Sequence, residues 1–397
     1  MEKNKKLKVL YLVDNYYPIT GGVNTVVSSI AKELQDKIEF SVCSVKYKGY
    51  VDNQEYFKVY RSEGYYNFIT HDGMAHPSKD FEKTILNENF DILHCHTAGN
   101  LLNFALKIGK KQNIPVVSTI HNIYYPEALS YVKLPFLAKL IAKMLFKKTE
   151  KSNYVWAVSQ FCANYAKKFG VKKPIKIEKN AINMDCPTED FIIKGQEKIN
   201  KLHNLLKDHF IFLFVSRIIK GKNLDLVIDS INLLNKDQPN NNIKILVVGD
   251  GKYLKKAKKR VKKLKIENYF IFTGMITDRY LLSEYYTRSN VVLFPSVIES
   301  IGLIQVEASA YKKPCLVIEN VAQSEDIIDN KNGFIAKNNP ISFLEKMKYC
   351  YNNKNILHKV GEEAYDTLFR SYKDENIKNE ILNDYITILD DFKNKKI

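Results

Sequence analysis

The sequence predicts an α/β protein made of two doubly wound domains, each on a parallel sheet. Three observations predict it. The chain has 397 residues, long for one compact core and sufficient for two. Short apolar, β-branched runs alternate with segments of helical periodicity, the pattern of parallel strands joined by crossover helices. One opening pattern also occurs twice, since Leu7–Val13 (LKVLYLV) and Phe210–Val215 (FIFLFV) each lead into a Gly-containing loop and a helical pattern.

Further strand-like runs follow in order. The first half has Ile38–Val45, Asp91–Cys95, Val116–Ile120 and Tyr154–Val158, and the second has Ile243–Val248, Tyr269–Phe272, Asn290–Phe294 and Pro314–Val317. Near-continuous apolar runs of this length suit strands covered on both faces. From about Thr188 to Asp208 the strand pattern stops and polar residues dominate. The predicted organisation is a Rossmann-like domain over 1–190, a linker over 191–208, a second Rossmann-like domain over 209–373 and a terminal helix over 374–397. In that last segment Ile377, Ile381, Leu382, Tyr385, Leu389 and Phe392 suggest one helix. Ligands of such folds bind beyond the carboxyl ends of strands, near helix N-termini, so two domains facing each other would share a central cleft.

Composition narrows the function classes. Hydrophobic residues make up 45% and charged residues 26%, as in a soluble globular protein. No apolar run reaches bilayer-spanning length. The segment Met1–Lys6 leads into a strand rather than a secretory h-region, and the six cysteines show no CxxC pair. These features predict a cytoplasmic protein with reduced thiols. A net charge of +17 attracts nucleic acid, anionic membrane and phosphorylated substrates alike. In Lys252–Lys265, however, Leu254, Ala257, Val261 and Leu264 recur at helical spacing with cations between them. This is a buried stripe with a solvated cationic face, and no aromatic residues interleave as a nucleic-acid stacking platform requires. Nucleic acid is therefore not an expected partner.

Three segments of the second half carry chemistry. Ser216-Arg217-Ile218-Ile219-Lys220-Gly221-Lys222-Asn223 follows a strand, and its Arg217 and Lys222 are placed to clamp a diphosphate, the guanidinium as a fork and the ammonium as a point charge. Val248-Gly249-Asp250-Gly251 follows another strand, and its paired glycines allow a tight turn with backbone close to a ligand. Pro295–Glu307 follows a third and opens a helix near Leu303. There Gly302 admits close approach, and the N–H groups of Gly302, Leu303 and Ile304 face an anion. Glu299 and Glu307 would repel a diphosphate, so their expected partners are hydroxyls of a sugar and a ribose.

In this order and spacing, R-x4-K, the GDG turn and E-x7-E resemble the retaining glycosyltransferases of family four, which have the GT-B fold. The resemblance runs from about Leu7 to Gly333. It implies that Arg217 and Lys222 hold the donor diphosphate, Glu307 the ribose hydroxyls and Glu299 hydroxyls of the transferred sugar. Ile301 stands where the family more often has an aromatic residue, and Ser216 where it often has Gly. In the first half, Gly21 and Gly22 precede a helical run beginning near Asn24 and resemble the family's glycine loop over the donor phosphates. His121 ends a strand within Ser118–Asn122 and matches a T-x-H segment, which implies contact with the reacting sugar or diphosphate. Ser159 and Asn180 match further family segments, although Ala181 replaces a usual Gly.

In His94-Cys95-His96, alternation puts the histidines on one face and Cys95 on the other, so no metal site is expected. The resemblance implies retention of configuration with no divalent metal and no cofactor, the nucleoside diphosphate sugar being donor substrate. Catalysis would then rest on Arg217, Lys222 and the helix start at Gly302 binding charge that grows on the leaving diphosphate. The expected activity is transfer of a hexose to a glycan or lipid-linked acceptor. An epimerase or hydrolase acting on sugar nucleotides is the alternative on the same fold, and a basic nucleic-acid-binding protein the alternative of another class, ranked behind it.

One helix stands outside this scheme. Phe136, Leu137, Leu140, Ile141, Met144 and Leu145 form an apolar stripe, and Lys139, Lys143 and Lys147 a row at i, i+4 spacing. Together with Val132 and Leu134, this is either a helix packed beneath the following strand or a basic amphipathic helix on the anionic inner face of the plasma membrane.

Overall fold

A computed structural model describes residues 6–19, 22–52, 57–67, 72–178, 187–198, 206–239, 241–373 and 375–394. The chain forms two compact units, Met1–Asn183 with Tyr372–Ile397, and Met184–Ser371.

The N-terminal unit holds β1 (Leu7–Leu12), β2 (Ile38–Val45), β3 (Lys58–Ser62), a hairpin of β4 (Gly64–Asn67) and β5 (Asp72–Ala75), then β6 (Ile92–Cys95), β7 (Val116–Ile120), β8 (Tyr154–Ala157) and β9 (Ile175–Ile177). Seven of these form a parallel sheet in the order β3-β2-β1-β6-β7-β8-β9. Strand β1 sits where the winding direction reverses, with Leu7 opposite Ile38 and Val9 opposite Ile92. Val9 to Leu12 are fully buried, which explains the unbroken apolar run. The helix Glu375–Asn394 belongs to this unit. Its Ile381, Tyr385 and Ile388 join the core, and Tyr385 meets the Tyr11 hydroxyl at 3.0 Å.

The C-terminal unit has β10 (Phe210–Val215), β11 (Ile243–Val248), β12 (Phe270–Gly274), β13 (Val291–Phe294), β14 (Cys315–Ile318) and β15 (Phe334–Ala336). They form one parallel sheet in the order β12-β11-β10-β13-β14-β15. Strand β10, between β11 and β13, occupies the reversal point, so the loops leaving these three strands lie side by side at one sheet edge. The lysine-rich helix Leu254–Lys263 buries Ala257 and Val261 and half-buries Leu254, leaving its cations outward.

Every strand-like run of the sequence carries a strand. The edge strands β3, β9 and β15 and the β4–β5 hairpin were not anticipated, because they are short and several are half in solvent. Of the stretch 191–208 read as a linker, residues 199–205 lie outside the described residues, and the part before them is helical. A helix, Glu189–Lys198, runs into it and packs within the C-terminal unit on the helix Arg279–Arg288. Phe191 lies 4.5 Å from the Tyr280 ring, Lys198 pairs with Asp278 at 2.5 Å, and a Cβ on Gly195 would stand 2.5 Å from the Tyr280 carbonyl oxygen. The polar composition conceals a contact that depends on one small residue.

Candidate active site

At the reversal point of the C-terminal sheet, the Ser216 N–H extends the ladder to the Val248 carbonyl at 3.1 Å before the chain leaves β10. Ile218 is fully buried, donates its N–H to the Asp250 carbonyl at 2.8 Å and accepts from the Tyr253 N–H at 3.0 Å. The loops after β10 and β11 are thereby laced together. Gly249 (φ +134°) and Gly251 (φ +155°) make this lacing sterically feasible. A Cβ at Gly249 would overlap the Ser216 carbonyl, and one at Gly251 would lie 2.5 Å from that of Ile218. The space that a side chain at either glycine would need is thus taken by the main chain of the neighbouring loop.

A second lacing joins the loops after β10 and β13. The Gly221 carbonyl accepts from the Val297 N–H at 3.0 Å and the Ser296 hydroxyl at 3.3 Å. Asn223, in the left-handed region at φ 61°, donates its amide to the Pro295 carbonyl at 3.2 Å and to Asn338 Oδ1 at 3.0 Å. The buried Gln323 amide donates to the Ser296 carbonyl at 2.6 Å from the other side. These ties bring Lys222 and Glu299, far apart in sequence, into an ion pair. Their side chains are 16% and 17% exposed, so both are screened from bulk water yet reachable.

Directly after Glu299, buried Gly302 opens the helix Leu303–Ala310. The first-turn N–H groups of Leu303 and Ile304 have no carbonyl to bond within that helix. Gln305, also buried, fills the space a Gly302 side chain would need, and its amide oxygen has no partner among the described residues. Glu307 lies in the second turn, and the Tyr286 hydroxyl donates to its Oε2 at 3.0 Å. Burial raises the Glu307 pKa, opposed by the Tyr286 bond and the Arg279 charge. Tyr286 is itself fixed by stacking on Tyr311, with centroids 5.0 Å apart.

Lys222 and Glu299 therefore come together, and Gly302, Leu303, Ile304 and Glu307 follow on the next helix. Arg217 is exposed just beyond β10, with no hydrogen bond or ion pair to its guanidinium among the described residues. Asn223, Tyr286 and Gln323, which position this site, carried no recognisable motif.

In the N-terminal unit, His121 follows β7 and is buried, its Nε2 2.7 Å from His96 Nδ1. His94 stacks on His96 at 4.3 Å and bonds the Tyr385 hydroxyl through Nδ1 and Thr119 through Nε2, each at 2.6 Å. Burial lowers the pKa of His94 to about 3 and of His121 to about 4, and takes His96 well below the usual value, so all three are neutral at pH 7. Gly22 begins the helix Gly22–Glu33. Gly21 and Asn180 lie outside the described residues.

Comparison with known proteins gives consistent results. Residues 195–367 match the family model for glycosyl transferases group 1, and residues 20–185 that for glycosyltransferase family 4. An uncharacterized glycosyltransferase of Methanocaldococcus jannaschii is 25% identical over 359 residues, covering 88% of this chain and 90% of that protein. The N-acetyl-alpha-D-glucosaminyl L-malate synthase of Bacillus anthracis is 24% identical over 393 residues, covering 96% and 98%. Among solved structures, Anabaena HepE in complex with UDP and glucose matches with a TM-score of 0.74 at 17% identity, covering 96% of this chain and all of that one.

Proposed function

The chain belongs to the family-four-like glycosyltransferases of GT-B fold, and from that premise we propose that its C-terminal unit binds a nucleoside diphosphate sugar and that the enzyme transfers the hexose, with retention, to a glycan or lipid-linked acceptor in polysaccharide or glycolipid synthesis. The Lys222–Glu299 pair carries the reading, since it sets a cation for the diphosphate beside an acid for sugar hydroxyls at the mouth of an uncapped helix. UDP and glucose bound to HepE support a donor of this class. As the bond from the anomeric carbon to the diphosphate breaks, Lys222, Arg217 and the amides of Gly302, Leu303 and Ile304 bind the growing negative charge more tightly than the ground state. Each such hydrogen bond contributes about 1.5–3 kcal/mol, roughly ten- to a hundredfold in rate. Glu307 accepts from the ribose hydroxyls. The assignment of Gly21, Gly22 and His121 to donor contacts rests on the family resemblance, as does a reaction that needs no divalent metal. We place the enzyme in the cytoplasm, a reading supported by five buried cysteines that are all free thiols.

Thermal unfolding of the purified chain with a panel of sugar nucleotides tests this reading. The true donor, at about 100 times its dissociation constant, adds roughly 2.7 kcal/mol of stability. Product analysis with and without acceptor separates transfer from epimerisation or hydrolysis. Stabilisation by no sugar nucleotide would defeat the proposal.

A further inference from the structure

The helix Pro135–Thr149 of the N-terminal unit carries most of its large apolar side chains away from the core, Phe146 being the buried exception. It packs through Ala138, Ala142, Phe146 and Thr149, all buried. Toward solvent it turns Phe136, 82% exposed, Leu140, 53%, and Met144, 60%, with Leu134 just before the helix at 60%. At 3.6 residues per turn these two sets fall on opposite faces. The sequence left open whether the apolar stripe packs inward or lies on a membrane; the structure packs the helix by Ala138, Ala142 and Phe146, half-buries Ile141 and Leu145, and leaves Phe136, Leu137, Leu140 and Met144 outside. With Leu137 also exposed, these large side chains fall within one short segment, which makes a patch rather than the scattered single residues normal on a protein surface.

Charge identifies what covers it. Lys139, Lys143 and Lys147 are exposed along one flank of the patch, and the helix contains no Asp or Glu. No acidic side chain pairs with these three lysines among the described residues. A second copy of the chain would bring the same cations against them, whereas an anionic lipid surface brings opposite charge. Among the described residues no helix is long and apolar enough to cross a membrane. We propose that this helix docks the protein on an anionic bilayer, with Leu134, Phe136, Leu140 and Met144 entering the boundary between headgroups and acyl chains. The three lysines extend along the patch to lipid phosphates. This surface shares no residue with the proposed donor site.

The test is cosedimentation of the full chain with vesicles of phosphatidylcholine alone or mixed with phosphatidylglycerol. The expected result is partition onto the mixed vesicles, weakened by added salt. Lys139→Gln, Lys143→Gln and Lys147→Gln together should lower it by on the order of a hundredfold, at roughly fivefold per lysine. Phe136→Ser with Met144→Ser should lower it at least about tenfold. These side chains support no core contact, so both variants should keep the wild-type unfolding midpoint and the same stabilisation by sugar nucleotide. Equal binding to both vesicle types, no binding to either, or variants that partition like wild type would overturn the proposal. So would concentration-dependent self-association, abolished by the serine pair, without vesicle binding. A chain that binds vesicles but no sugar nucleotide would refute the donor assignment alone.

Discussion

Replacing Glu299 with Gln separates two effects that the Lys222–Glu299 pair combines. In this structure the Lys222 ammonium is paired with this carboxylate, and both side chains keep about one-sixth of their exposure. A hydrogen bond between charged groups contributes about 1.5–3 kcal/mol, and partial access of water moves this pair toward or below the lower end. A diphosphate must take Lys222 from Glu299. Removing the carboxylate charge removes that competition while nearly conserving shape, so a nucleoside diphosphate should bind Glu299→Gln more tightly by roughly 1 kcal/mol, about fivefold. Turnover of the complete sugar nucleotide should move the other way. Loss of a charged acceptor for the sugar hydroxyls costs about 1.5–3 kcal/mol, a ten- to hundredfold fall in kcat/KM. Lys222→Ala should weaken both measures at least about tenfold. Titration calorimetry with the nucleoside diphosphate, beside steady-state kinetics with the sugar nucleotide, reads both. If Glu299→Gln weakens nucleoside diphosphate binding as much as Lys222→Ala does, Glu299 orients the lysine instead of competing for it, and the reasoning fails.

Three further outcomes are expected. Because burial raises the Glu307 pKa and ribose hydroxyls need the ionised form, donor affinity should decline on acidification at a higher pH than an ordinary carboxylate would impose. Glu307→Gln should remove that dependence and cost about tenfold at neutral pH, read as Kd against pH. Gly249→Ala forces a Cβ into the Ser216 carbonyl at φ +134°, so it should destabilise the C-terminal unit by about 3 kcal/mol or more, and an unchanged denaturation midpoint would contradict the described backbone. In the N-terminal unit His94 and His121 stay neutral down to about pH 3 and 4, while an unfolded chain protonates its histidines near 6.5. Stability should hold above pH 6.5 and fall as pH drops below it, by about 2 kcal/mol per buried histidine at pH 5. The single tryptophan, Trp156, lies 5.0 Å from the His94 ring, so denaturant unfolding followed by its fluorescence at pH 7 and pH 5 reports this unit, and equal midpoints would refute it.

What could be read from the sequence follows burial. Central strands such as β10 and β11 are covered on both faces, so they appear as continuous apolar runs. Edge strands such as β9, three residues with none fully buried, leave no such trace. The acids of the site were legible because Glu299, Gly302 and Glu307 sit on one strand-loop-helix unit whose spacing is local. The pairing of Glu299 with Lys222 was not, since it depends on the Gly221 carbonyl and the Asn223 side-chain amide bonding the loop after β13, contacts between segments far apart in sequence that no local spacing reveals. Tyr286 and Gln323 were hidden for the same reason: each is an ordinary residue of its element until tertiary packing aims it. Helical periodicity located the stripe on Pro135–Thr149 but not its direction. Small Ala138 and Ala142 allow close packing, and that selects the face turned inward.

The departures from the family pattern fit this division between backbone and side chain. Ser216 stands where the family often has Gly, yet the close contact there is made by its carbonyl oxygen, and the glycine that accommodates it is Gly249. The Ser216 hydroxyl turns back to the Arg217 carbonyl at 3.2 Å and interrupts neither lacing. Ile301 replaces a more usual aromatic residue in a loop already tied by Val297, Ser296 and Gln323. Because none of these ties uses the side chain of Ser216 or Ile301, a change at either leaves the positions of Lys222, Glu299 and the helix start intact. Variation at Ser216 and Ile301 should therefore alter which donor is preferred more readily than whether a donor is bound, whereas Gly249 admits no such freedom.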